Sequence, residues 1–220
     1  MMGRTRPVTK ADVVKLWKPE VKTLGFVFRG GFFQYEQHEP GHVDLGVSVQ
    51  KNTRAETYKI NPTLFFRNPL LDGEVPQLLL LANVRPGGIF LHVTRESWWP
   101  PEALADALGV LKQHVIDWYR RVGRIDALAA AAERAIEQKE DLIQVLEPMD
   151  AAVTALPWAP DTPRRLGSAF FYRAAVLHYL NGDRARALAR TRDWLAALPE
   201  RDGAERARAQ AQRDALDRVS

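Results

Sequence analysis

The first half of the chain alternates between apolar and polar positions, and the alternation is strongest across residues 42–50. Every second residue there is a large aliphatic one: Val43, Leu45, Val47 and Val49. A period of two is typical of a strand with one buried face and one hydrated face. We therefore predict a β-strand whose valines and leucine point into a core.

Shorter segments of the same character surround this strand. They are residues 26–29, 32–35, 58–66 and 89–93. Gly30-Gly31 lies between the first two and suits a tight hairpin turn, while Pro62 predicts a break or an edge position within the third. Together these segments predict an antiparallel sheet of four to five strands.

A helix is predicted before the sheet. Thr9 and Asp12 stand three residues apart, as in a capping box, and Gly25 supplies a C-terminal stop. Pro19 lies inside the pattern and predicts a kink or a break near Lys18. The apolar positions of this helix recur at helical spacing: Val13, Leu16, Trp17 and Val21.

After Pro100-Pro101 the apolar period changes from two to 3.6. An amphipathic helix that ends near Val122 is predicted to cover the apolar face of the sheet. A further helix is predicted from Ile125 to about Glu147. The fold class is therefore α+β, with a sheet domain at 1–122 and a helical domain at 123–220.

The helical domain contains a proline-rich connector and a helical hairpin. Three prolines between 156 and 163 predict the connector. The hairpin spans 168–199, with Asn181-Gly182-Asp183 as its turn. From Glu200 onward few large apolar residues remain, which predicts an exposed, weakly docked helix.

Composition and charge narrow the class of protein. The chain has 220 residues, 46% of them hydrophobic and 26% charged, and contains no cysteine. These values exclude intrinsic disorder and any thiolate site, and no apolar run is long enough to span a membrane. No export signal is visible, so we expect a cytoplasmic protein. The net charge of +4 is modest, so nucleic-acid binding is not the expected function and is kept as a second alternative.

Histidines offer the main candidate for catalytic chemistry. His38, His42 and His92 supply three nitrogens that could hold zinc in a metal-dependent hydrolase. Pro40-Gly41 lies between the first two and forbids the helix that zinc-protease motifs need. No serine lies in a nucleophile elbow, and no glycine loop has a phosphate-binding context. We assign no catalytic residue and no cofactor, and we keep the metal site as the alternative.

The hydrated face of the predicted sheet is the favoured functional surface. If the strands pair as neighbours, one face carries polar side chains, and Trp98-Trp99 follows the last strand as an aromatic candidate. Tryptophan is enriched at binding hot spots. The simpler alternatives are a merely hydrated face and one buried tryptophan. The candidate binding residues are Gln34, Glu36, Asp44, Ser48, Gln50, Lys59, Asn61, Trp98 and Trp99.

Two resemblances accompany these patterns. The spacing of Phe171, Ala175, Gly182, Ala187 and Pro199 resembles one tetratricopeptide unit, although Thr191 stands where that family usually has an aromatic residue. No second copy is detectable. We therefore expect a single helical hairpin packed on its own domain.

The N-terminal half resembles an uncharacterised family of bacterial domains of unknown function. The matching pieces are Leu24-Gly25-Phe26, Gly30-Gly31, Phe33, the strand 43–49, Gln50-Lys51 and Ile60-Asn61. This resemblance implies an α+β fold in a cytoplasmic bacterial protein and implies no catalytic residues. The expected function is a non-catalytic interaction or immunity-type binding protein, acting on a protein partner through the polar sheet face or the helical half.

Overall fold

The computed structural model describes residues 8–29, 31–37, 39–71, 84–85, 88–92, 98–100, 103–140, 142–146 and 167–218. An N-terminal helix, an antiparallel sheet and an all-helical C-terminal part confirm the predicted α+β class. None of the helices in these ranges is long and apolar enough to cross a membrane. The connector predicted at 156–163 lies outside the described residues.

The first part of the fold contains α1 and six strands. Their bounds are α1 Lys10–Thr23, β1 Phe26–Arg29, β2 Phe32–Tyr35, β3 Asp44–Lys51, β4 Tyr58–Phe66, β5 Val84–Arg85 and β6 Gly88–His92. The strand order across the sheet is β1-β2-β3-β4-β6-β5. The sheet therefore has one strand more than the predicted maximum, because the two-residue β5 adds to β6 at its edge.

The remaining elements are helical. Their bounds are α2 Leu104–Val110, a π-helical segment Leu111–Val115, α3 Ile116–Val122, α4 Ile125–Gln138, α5 Leu142–Val145, α6 Ser168–Leu180, α7 Arg184–Ala197 and α8 Gly203–Arg218. The predicted covering helix is thus three consecutive pieces. Its π-helical turn shifts the register of the side chains, so that both Val115 and Ile116 are buried.

The pleat of β3 follows the sequence pattern. Val43, Leu45, Val47 and Val49 are buried, whereas Asp44 and Ser48 are partly exposed and Gln50 is exposed. The helix α1 packs against β1 and β3, with the Trp17 ring 6.3 Å from that of Phe33. From α3, Tyr119 lies edge-on to Tyr35 at 5.8 Å and donates a hydrogen bond to the Val43 carbonyl at 2.8 Å.

The helix α1 differs from its prediction in two details. Its capping box forms as expected, since Thr9 accepts from the Asp12 amide and Asp12 accepts from the Thr9 amide. The helix then runs through Pro19 without a break, because this proline is on the exposed side while Val13 and Trp17 are buried. Leu16, expected in the core, is 63% exposed because it lies off the buried stripe.

Pro62 also behaves differently from its prediction. The strand β4 is continuous through Pro62 and lies between β3 and β6, so it contains no break and is not an edge strand. A proline removes one backbone N–H and keeps its carbonyl acceptor, so a strand of nine residues can keep its pairing through a single proline.

Two predictions for the helical half are wrong. The helix from Ile125 ends at Gln138 rather than continuing to Glu147, because Lys139 adopts a left-handed conformation with φ of 57°. The Glu140 amide then bonds to the Ala135 carbonyl, an arrangement that closes a helix end. The C-terminal helix is firmly docked: α8 packs on α7 and buries Glu205, Ala209, Gln212, Ala215 and Leu216.

The chain divides into two compact units. The first holds the described residues of Met1–Leu64 and Leu91–Gly123, and the second holds those of Phe65–Phe90, Arg124–Glu147 and Ala159–Ser220. In the second unit, α6 packs on α4 and on α7. The turn between α6 and α7 is the predicted one, with Gly182 at φ of 79° and Asp183 capping α7.

Candidate functional site

The polar sheet face is formed by side chains of β2, β3 and β4 that point away from the covering helices. Gln34 stands opposite Val27 on β1 and opposite Gly46 on β3. Continuing this register by two residues brings Glu36 next to Asp44. We define the polar sheet face as Gln34, Glu36, Asp44, Ser48, Gln50, Lys59, Asn61 and Trp98.

Side-chain contacts join several members of this face. The Asn61 amide donates to Gln50 Oε1 at 3.2 Å, which links β4 to β3. Arg29 Nη2 lies 2.6 Å from Glu36 Oε1, and both side chains remain about half exposed. These contacts order part of the face. Glu36 and Gln50 are exposed, and the other strand residues of the face are partly exposed.

The two adjacent tryptophans point in opposite directions. Trp99 exchanges two backbone hydrogen bonds with Tyr58, at 2.7 and 2.8 Å, and its side chain is only 9% exposed. Trp98 is 39% exposed, and Lys59 Nζ lies 5.1 Å from the centre of its ring. This contact is a cation–π interaction. Trp98 therefore belongs to the polar sheet face, whereas Trp99 is packed in the core.

The histidines of the metal alternative are not brought together in the described part of the chain. His38 lies outside the described residues, and His92 is described only as a member of β6. His42 Nε2 lies 3.1 Å from the Arg120 carbonyl, so this nitrogen carries the proton and donates it there. Among the described residues, no group of three or more histidine, aspartate or glutamate side chains could hold a metal ion. The metal site stays a prediction.

A buried polar network, which the sequence pattern did not indicate, lies in the helical unit. Its members come from the segment after β4 and from α6, α7 and α8. The Asn68 amide nitrogen donates to Tyr172 Oη at 3.0 Å and to Gln212 Oε1 at 2.9 Å. Gln212 in turn donates to Thr191 Oγ1 at 3.0 Å, and Thr191 donates to the Ala187 carbonyl at 2.8 Å.

Arg208 extends this network towards α6 and α7. Its Nη2 donates to Tyr172 Oη at 2.6 Å, and its guanidinium lies 4.4 Å from the centre of the Tyr172 ring. Arg208 also neighbours the buried Glu205 at 3.5 Å. Burial raises the pKa of the Glu205 carboxyl, while the Arg208 charge acts in the opposite direction.

A second polar cluster joins α4, α6 and α7. Glu133 accepts two hydrogen bonds from Arg190, at 3.0 and 2.9 Å, and lies 2.6 Å from Nε2 of the buried His178. Arg190 also donates to Asp193 at 2.6 Å. Both clusters place polar residues at positions that a pattern of apolar residues cannot identify. The only signal in the sequence is a polar residue such as Thr191 at a core position of a helix.

In comparisons with known proteins, no family model, curated protein or solved structure matches the chain.

Proposed function

We propose that this chain is a non-catalytic interaction protein that binds a protein partner through the polar sheet face. The observation that carries the proposal is the exposure of Trp98. Among the described residues, Leu16 and Trp98 are the large apolar side chains that remain exposed, and only Trp98 adjoins the polar sheet face. An exposed tryptophan on a rigid, partly polar surface has the composition of a binding hot spot.

The arrangement of charges supports the choice of this face. Asp44 begins β3, and Glu36, the residue after β2, lies opposite it. The strand β4 begins near the end of β3 and brings Lys59 to the opposite end of the face. The surface thus has an acidic end and a basic, aromatic end. A partner with the complementary order of charges would dock in one orientation, because like charges brought together oppose the reverse one.

The proposal is tested by removing the aromatic anchor and, separately, by reversing the polarity of the face. The variants are Trp98→Ala and the pair Asp44→Lys with Gln50→Lys. Proteins captured from a lysate of the source cells by the tagged wild type are identified, and the affinity of each for the purified variants is measured by calorimetry. We expect both variants to weaken binding, with Trp98→Ala costing about 2 kcal/mol or more, roughly thirtyfold in affinity.

The matched control is Leu16→Ala, which removes the other exposed apolar side chain from a helix outside this face. This variant is expected to bind like the wild type. Circular dichroism must show the same fold for all three proteins. If the folded Trp98→Ala and charge-reversed variants bind every captured protein as tightly as the wild type does, the polar sheet face is not the binding surface.

A further inference from the structure

The segment after β4 inserts side chains into the helical unit through a short turn. Asn68, Leu70 and Leu71 are buried. Arg67, before Asn68, and Pro69, between Asn68 and Leu70, are exposed. The segment bends through a local turn in which the Leu70 amide donates to Asn68 Oδ1 at 3.0 Å. Its side chains therefore enter the helices at Asn68 and Leu70, two residues apart.

The carboxamide of Asn68 makes three hydrogen bonds. Both amide hydrogens are donated to the helices, to Tyr172 Oη and Gln212 Oε1, and the carbonyl oxygen accepts from the segment's own backbone. Gln212 is held in the accepting orientation because its nitrogen donates to Thr191. The helices thus present two fixed hydrogen-bond acceptors at a buried position. A carboxamide satisfies both acceptors, whereas an apolar side chain of the same size would donate to neither.

Leu70 occupies an apolar site next to the carboxamide. It packs in a cluster with Ala187 of α7 and with Ala215 and Leu216 of α8. The two alanines leave space for a side chain that comes from outside these helices. The polar and the apolar contacts together define what fits: a carboxamide followed, two residues later, by a leucine.

We propose that α6, α7 and α8 form a recognition site for a short peptide segment of the Asn-x-Leu type that turns after its asparagine, and that the chain's own residues 67–71 occupy this site. The site is separate from the polar sheet face and goes beyond the function proposed above. A partner that used it would carry a segment of the same chemistry and would have to displace residues 67–71.

The experiment empties the site in the full-length chain and offers the segment back as a separate molecule. Asn68→Ala combined with Leu70→Ala removes both inserted side chains, and a fluorescently labelled peptide of residues 65–73 is titrated into the variant. Fluorescence anisotropy is expected to show saturable binding to this variant and at least about tenfold weaker binding to the wild type, whose site is filled. A peptide with leucine in place of the asparagine is expected to bind about tenfold more weakly, because two acceptors lose their donors.

The control variant is Pro69→Ala, which changes an exposed residue of the same segment and should exclude the peptide as the wild type does. Equal binding to wild type and emptied variant, or no binding to an emptied variant whose helical circular dichroism is intact, overturns the proposal. If the emptied variant loses helix, the peptide is added during thermal unfolding of that variant and of Leu70→Ala alone. Recovery of helix or a higher midpoint supports the site, and an unchanged midpoint for both overturns it.

Discussion

At the scale of single residues, buried polar side chains decide the specificity of the helical unit. Thr191, Gln212 and Asn68 stand at positions where an apolar side chain would normally fill the core. The hydrogen bonds that their side chains donate are 2.8–3.0 Å long. A satisfied network of this kind fixes one arrangement of the helices, since any other arrangement would leave a buried group without a partner.

Glu205 gives a prediction with a defined pH dependence. Burial raises the pKa of its carboxyl, so the folded chain holds the proton more tightly than the unfolded chain does. Its contribution to stability is therefore complete below the unfolded pKa of 4.5 and is lost as the pH rises through the folded pKa. We therefore compare the stability of Glu205→Gln with that of the wild type at each pH. Between pH 4 and pH 7 we expect this difference to move in favour of the variant by about 1 kcal/mol, or about 2–4 °C in Tm.

The measurement is Tm by circular dichroism at pH 4, 5.5 and 7 for both proteins. Asp214→Asn is the control, because Asp214 is an exposed carboxylate of the same helix. The difference in Tm between Asp214→Asn and the wild type should not depend on pH in this way. A Glu205→Gln difference that stays constant or shrinks towards neutral pH would show that ionisation of Glu205 carries no cost in the fold.

At the scale of elements, periodicity predicts position and type well and predicts interruptions badly. The alternation at 42–50 specifies β3 and its buried face, because a one-residue slip would expose every valine. Proline is ambiguous by comparison. At Pro19 and Pro62 the local rule predicts a break, and the burial of neighbouring side chains overrides it.

In the candidate site, too, periodicity predicts some features, and others depend on contacts between residues that are far apart in the sequence. Alternation predicts which side chains share the polar sheet face, but it cannot tell which of two adjacent tryptophans points outward. That choice depends on the backbone pairing of Trp99 with Tyr58, a contact between residues 41 positions apart. The docking of α8 was missed for a related reason, since alanine and glutamine bury well only when a partner helix approaches closely.

Pro19→Ala tests how α1 tolerates its proline. Proline in a helix interior costs about 3 kcal/mol relative to alanine, and part of that cost is offset because proline also restricts the unfolded chain. We expect Pro19→Ala to raise the free energy of unfolding by about 1–2 kcal/mol, measured by urea denaturation. Lys18→Ala, an exposed neighbour, should change it by less than about 0.5 kcal/mol. Destabilisation by Pro19→Ala would mean that the proline makes a contact that the helix needs.

At the scale of the whole molecule, the chain has 23 arginines and 8 lysines. Contacts in the helical unit explain part of this excess of arginine. Arg190 forms a two-pronged contact with Glu133, and Arg208 stacks on Tyr172. Arg206 donates to the carbonyls of Leu195 and Leu198 at 3.3 and 3.0 Å, which closes the end of α7. These guanidinium groups are used within the fold. The number of arginines in the chain therefore overstates the number of guanidinium groups available to a polyanion.

Arginine-to-lysine substitutions separate charge from geometry, because they leave the net charge unchanged. Lysine has no planar fork, so Arg190→Lys keeps at most one of the two bonds to Glu133. We expect Arg190→Lys and Arg206→Lys each to lower the free energy of unfolding by about 1–3 kcal/mol in urea denaturation. Arg134→Lys and Arg192→Lys change exposed residues of α4 and α7 and should stay within about 0.5 kcal/mol of the wild type. If all four variants match the wild type, Arg190 and Arg206 contribute to stability only through their charge.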